Sequence, residues 1–404
     1  LIKFKYIDYL IGFSLALLAS MPMLRTQFPI PSIGLLIPIM MMFGLGSLKV
    51  YSKGTLSIRL NTAGHFYFLA LLFVYLLASA IWNPFEVSAG DAVLKIILII
   101  ITVVSVIISV NERATHHFIN WVIFFAIIAA LTLFTEYLRL GNFSGYRLSD
   151  TLVRPQLMGL GTIFAVTKLL FFEDVKRKRY LAITGFLLFG LAFGGARGAL
   201  LIAFGICMMI LGYYFYSFNP KSYSLQEWLK NKSLRIFSVT SIILVIIAAL
   251  QIERTANKMR RLFFGGELVH GERAELWANS FISYLDSPFI GFGLRSSGIL
   301  SYDQANYYPH NMFLEVMLDG GVIALVFLLI VIFYPIIRTI ELLRNNRLKS
   351  KLWLPLLAGY FFLIFEFSKS STFFDSRMIF VLATTIIIVV EDIKVKQPFK
   401  LQGK

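Results

Sequence analysis

Apolar runs of roughly twenty residues recur along the whole chain, centred near residues 15, 39, 73, 101, 128, 163, 187, 206, 243, 323, 361 and 384. A bilayer core of about 30 Å requires roughly 20 such residues per helical span. Lipid offers no hydrogen bonds to a bare backbone, so each run has to close its N–H and C=O groups on itself as a helix. The pattern predicts an all-α polytopic membrane protein with about twelve transmembrane helices. It forms a single transmembrane domain over residues 1–404.

The alternation is interrupted at length once, at residues 253–309, which read as a long outer loop between the ninth and tenth spans. Long connections in compact proteins tend to carry function. Within it, GERAELWANSFISYLDSP has the spacing of an amphipathic helix. Glu272, Glu275, Asn279, Ser283 and Asp286 fall on one face, with Ala274, Trp277, Phe281 and Leu285 on the other. Arg273 lies on the border between the faces, and the helix is expected to lie along the membrane surface. Pro288, Gly291 and Gly293 then end the helix and turn the chain back.

Composition agrees with the pattern: 58% of residues are hydrophobic and 15% are charged. The net charge of +16 would suggest nucleic acid in a soluble protein. Here most basic residues, including the KRKR run at 176–179, fall on alternate loops, as the positive-inside rule requires if both termini are cytoplasmic. No nucleic-acid partner is needed. The first residue, Leu1, reads as a trimmed N-terminus, and the first span serves as the membrane address. The lone Cys207 sits within a span and excludes a disulfide framework.

On the opposite loops arginine dominates: Arg25, Arg139, Arg147, Arg154, Arg197, Arg254, Arg260, Arg261, Arg273, Arg295 and Arg377, with only Lys258 and Lys369 beside them. A guanidinium donates two parallel hydrogen bonds to phosphate oxygens, whereas an ammonium acts as a point charge. Either a phosphate or diphosphate ligand or plain head-group anchoring accounts for this bias.

Two local patterns sharpen the choice. In GGARGALL, residues 194–201, Arg197 lies in a tight turn between two spans, with small neighbours and no acidic residue nearby in sequence. In YYPHNMFLEVMLDGG, residues 307–321, His310 stands at the water boundary in front of an apolar run. Imidazole titrates near neutrality, which makes His310 a candidate general base. Asn311, Glu315 and Asp319 continue at i+4 spacing as a polar stripe that has to face the protein interior or water. Glu315 is expected to orient the histidine, to pair with Lys369, or to serve as an internal hydrogen-bond partner. No HExxH, CxxC pair, Walker loop, nucleophile elbow or Asp-x-Asp pair is present, so phosphate chemistry would use arginine as the countercharge, with no metal or other cofactor.

Taken in order, GGARGAL, GERAELW followed by SPFIGFGL, and YPHNMFLEVMLDGG resemble the signature of bacterial O-antigen polymerases and O-antigen ligases. These motifs cover roughly residues 194–325. GYRLSDTLVRPQLMG resembles the family more weakly, with Gln156 where asparagine is frequent, which leaves Arg147 and Arg154 as binding candidates.

The resemblance implies a GT-C-like, inverting, metal-independent glycosyltransferase of the bacterial inner membrane, with its active site facing the periplasm. The donor would be an oligosaccharide on undecaprenyl diphosphate, and a polysaccharide chain-length regulator would be a partner. Carried over to this sequence, Arg197 and Arg273 would hold the diphosphate and His310 would deprotonate the acceptor hydroxyl. Tyr308, Asn311 and Glu315 are further substrate-binding candidates. Two acceptors stay open: another lipid-linked repeat unit for a polymerase, or a lipid A core for a ligase. A transporter or flippase for lipid-linked sugars is the alternative from another class, with the stripe of Asn311, Glu315 and Asp319 as its path.

Overall fold

The computed structural model describes residues 4–27, 32–53, 63–85, 89–140, 150–173, 175–193, 197–217, 272–302, 308–345 and 351–395. Of these, 89% are helical and none lies in a strand, which is the all-α class expected. The described helices are α1 (Phe4–Gln27), α2 (Leu36–Lys53), α3 (Ala63–Ser79), α4 (Gly90–Ser109), α5 (Glu112–Leu140), α6 (Asp150–Phe171), α7 (Arg177–Phe193), α8 (Arg197–Ser217), α9 (Glu272–Asp286), α10 (Ser296–Tyr302), α11 (Met312–Arg344), α12 (Trp353–Ser370) and α13 (Arg377–Val395).

Every apolar centre read from the sequence falls inside one of these helices except 243, which lies outside the described residues. Among the described residues, five segments are long and apolar enough to cross a membrane: Tyr6–Leu24, Gly64–Trp82, Gly90–Ser109, Glu112–Glu136 and Met312–Arg344. The chain is a multi-pass membrane protein. Leu36–Tyr51, Gly198–Tyr214 and Arg377–Val390 are apolar but shorter.

The chain forms two compact units. The first comprises Leu1–Met41, Arg113–Arg261 and Leu354–Glu366. Its centre is α6, which packs on α1, α7 and α8. Gly161 of α6 is pressed against Ala126 of α5 so closely that a β-carbon there would collide with it. His116 and His117, placed by the sequence in a short loop, instead belong to the first turns of α5, where His117 meets the Tyr9 ring edge-on at 5.2 Å.

The second unit comprises Met42–Glu112, Leu262–Trp353 and Phe367–Lys404. In it α11 packs on α3 and α13, α4 packs on α13, and α9 and α10 both lie against α11. Residues 253–309 therefore contribute two helices that lie against the tenth apolar run.

α9 packs on the protein by a narrow face. Its packed face is Leu276 and Ser280, both buried, with the Ser280 hydroxyl 2.9 Å from that of Ser301 in α10. Phe281 and Leu285, read from the sequence as part of the apolar face of a surface helix, are 48% and 57% exposed, and Ile282 is 62% exposed. Two serines let α9 and α10 approach closely, so the small residues turn inward and the bulky apolar row is left outside.

Candidate active site

The N-terminus of α11 is set by Asn311, whose side-chain oxygen accepts from the N–H groups of Phe313 at 3.0 Å and Leu314 at 3.2 Å. Asparagine is among the preferred N-caps because it satisfies donors that have no partner within the helix. Immediately before it, His310 adopts a left-handed conformation with φ 53°. Non-glycine residues seldom do so, and such strain persists only where the surroundings enforce it. Here two neighbours do. The indole N–H of Trp277, on α9, donates to the Pro309 carbonyl at 2.9 Å. The Tyr308 ring meets the imidazole edge-on, with centroids 4.5 Å apart.

Below the cap, the polar stripe serves as a series of anchors. Glu315 is buried, and its two carboxylate oxygens accept from the Thr372 hydroxyl and the Phe373 N–H, each at 2.6 Å. It thereby fixes the 3-10 turn Phe373–Asp375 beneath the histidine. One turn further, the buried Asp319 accepts from the N–H groups of Arg295 at 3.0 Å and Ser297 at 2.9 Å, and from the Ser296 hydroxyl at 3.2 Å. Of the roles weighed for Glu315, the internal hydrogen-bond partner is the one its contacts describe.

The DGG and SPFIGFG motifs turn out to be two halves of one device. α11 is not continuous, because Gly321 takes φ 66° and ψ −165°, a conformation essentially reserved for glycine. The groups this break releases pair with the turn after α9. Phe292 and Gly293 donate to the carbonyls of Leu318 (2.8 Å) and Asp319 (2.9 Å), while Val322 donates to that of Pro288 (2.8 Å). Irregular backbone inside a membrane protein is tolerated where the protein itself satisfies it. A β-carbon on Gly321 would run into the Phe289 carbonyl, and one on Gly291 into the Gly321 nitrogen.

Residues 181–329 match the family model described as O-antigen ligase. The match spans well under half of the chain. No curated protein matches the chain. Within the matched residues lie Arg197, Arg273, Tyr308, His310, Asn311 and Glu315, whereas Arg147 and Arg154 precede them.

The arginines divide between the two units. Arg197 is the first residue of α8 in the first unit, and Arg273 is the second residue of α9 in the second. Arg273 stands one helical turn before Trp277, so the helix that holds Pro309 also carries this arginine. Arg147 lies outside the described residues. Arg154 is buried in the first unit and ion-paired with Glu136 at 2.5 Å, so its charge is already met.

Arg295, within the matched residues, received no individual role from the sequence. Arg295 also has a left-handed backbone, φ 72°, and its guanidinium lies 6.0 Å from the centroid of the Phe374 ring. Nothing in GFGLRSSG marks it, because its conformation is imposed by Asp319, 24 residues away in sequence.

Proposed function

We propose that the protein is an inverting, metal-independent glycosyltransferase of the bacterial inner membrane. It polymerises oligosaccharide repeat units carried on undecaprenyl diphosphate, on the periplasmic side. The observation that carries this reading is the Trp277–Pro309 hydrogen bond, which ties the helix bearing Arg273 to the strained residue His310. An arginine helix and a fixed imidazole in one unit are what transfer from a diphosphate donor requires.

In the proposed reaction Arg273 holds the diphosphate, and His310 takes the proton of the acceptor hydroxyl; Arg197 is a diphosphate-binding candidate on the GGARGAL resemblance. The hydroxyl oxygen forms a bond to the anomeric carbon on the face opposite the leaving group. The bond from that carbon to the phosphate oxygen breaks, and its electron pair leaves with the diphosphate. Negative charge on the diphosphate grows as this bond breaks, so fixed guanidinium donors stabilise the transition state more than the ground state.

The broken helix supports a position at the aqueous rim. The segment after Gly321, residues 322–344, is about 35 Å long at ~1.5 Å per residue, enough by itself for the hydrocarbon core. The part headed by His310 is then additional length beyond it.

A ligase, which would pass the glycan to a lipid A core, is favoured by the description of the matching family model. Both readings share the donor and the residues. Transport is disfavoured by the contacts of the polar stripe, whose side-chain oxygens are engaged by backbone and hydroxyl donors. The deciding experiment supplies purified protein with lipid-linked repeat units, with and without lipid A core and with or without a chelator. Longer lipid-linked glycan, insensitive to the chelator, is expected. Product only on lipid A core would replace the polymerase with the ligase, and no product on either acceptor would refute the enzyme.

A further inference from the structure

The backbone around Arg295 is fixed on several sides. Asn83 donates through Nδ2 to the Leu294 carbonyl at 2.6 Å, and its Oδ1 is itself held by the Phe85 N–H at 2.8 Å. Asp319 binds the N–H groups of Arg295 and Ser297. Gly293 passes so near the Ser79 carbonyl, 2.5 Å from an added β-carbon, that this stretch has no room to shift. Every one of these anchors uses backbone at 293–297 or the Ser296 hydroxyl, and none uses the arginine side chain. A glycine at 295 would keep them all and relieve the left-handed strain.

The side chain therefore adds only a positive charge fixed in place. Its guanidinium lies on Phe374, its Nε is buried without an acceptor, and it pairs with no carboxylate among the described residues. The nearby acids are turned to other uses: Asp319 and Glu315 hold backbone and hydroxyl donors, and Asp375 meets Lys95 at 3.7 Å. A cation kept this way over an aromatic ring, with its planar fork open, suits the bidentate recognition of phosphate oxygens. A chain of contacts also links it to the histidine turn. Phe374 follows Phe373, which is bonded to Glu315, and Glu315 in turn donates its own N–H to the carbonyl of Asn311, the residue after His310.

We propose that Arg295 binds a lipid-borne phosphate, as a guanidinium additional to Arg273; the inference rests on the transferase reading in the choice of donor. The phosphate belongs either to the polyprenyl diphosphate donor or to a phospholipid head group, and the two are separable.

Wild type, Arg295→Gly, Arg295→Lys and Arg273→Lys are placed in phosphatidylcholine nanodiscs and titrated with undecaprenyl diphosphate. In parallel, retention of phosphatidylglycerol is followed by native mass spectrometry, and thermal unfolding reports folding. Arg295→Gly is expected to unfold no earlier than wild type yet bind undecaprenyl diphosphate at least tenfold more weakly, with Arg295→Lys in between. Unchanged diphosphate affinity with loss of retained phosphatidylglycerol would assign the head group instead, which still makes Arg295 a phosphate site. Wild-type behaviour of Arg295→Gly in both arms overturns the inference. If Arg273→Lys then still weakens diphosphate binding, the transferase reading survives; if wild type itself does not bind undecaprenyl diphosphate, that reading fails separately.

Discussion

Trp277 and Pro309 are joined by a 2.9 Å hydrogen bond from the indole N–H to the carbonyl, directly before the left-handed His310. One contact thus links the arginine helix to the histidine turn. Replacing Trp277 by Phe keeps an aromatic ring but removes the donor. A net stability loss of about 0.5–1.5 kcal/mol is expected. A larger effect, roughly tenfold, should fall on kcat with KM for the donor unchanged, because the imidazole loses its fixed orientation. Steady-state kinetics of Trp277→Phe checks this, and an unchanged kcat would reduce the bond to packing.

His310→Ala should fold, bind the lipid-linked donor and fail to transfer it. The measurement is glycan length in complemented cells together with donor affinity of the purified variant. Normal-length glycan would remove the histidine from the chemistry.

Arg273→Lys keeps the charge and loses the forked geometry. Loss of one such donor to the transition state costs on the order of 3 kcal/mol in barrier, a rate decrease of roughly a hundredfold. Retained activity would mark Arg273 as a head-group anchor.

Asp319→Ala leaves the N–H groups of Arg295 and Ser297 without their acceptor in a buried setting. Each stranded donor costs about 1–3 kcal/mol. The thermal midpoint in detergent should drop clearly, and Asp319→Asn, which keeps one carbonyl oxygen, should drop it less. Equal midpoints for all three proteins would argue against the anchor.

Gly321→Ala places a β-carbon against the Phe289 carbonyl at a backbone conformation that side chains avoid. The break in α11 should then unpair from the turn after α9. Early proteolysis within 286–294, or loss of expression, is expected, and wild-type protease resistance would contradict it.

The position of most helices was legible in the sequence, since long apolar runs have no other way to satisfy their backbone in lipid. The inward stripe through Glu315 and Asp319 followed from i+4 spacing alone. What faces what was not legible. The packed side of α9 follows Ser280 against Ser301 rather than its bulkiest apolar row, because close approach depends on a partner far along the chain. In the same way DGG and SPFIGFG read as separate motifs, although each supplies the hydrogen bonds the other lacks.

The sequence by itself determined an all-helical membrane chain, the place of His310 before an apolar run, and the residue types able to grip phosphate. Only the tertiary structure decided that α11 breaks at Gly321, that Trp277 holds the turn before the histidine, and that Arg295 is locked into a left-handed turn by Asp319. The physical reason is range: hydropathy and helical periodicity act between neighbours in the chain. Hydrogen bonds spanning 24 or 32 residues exist only once the backbone has folded and brought their partners together.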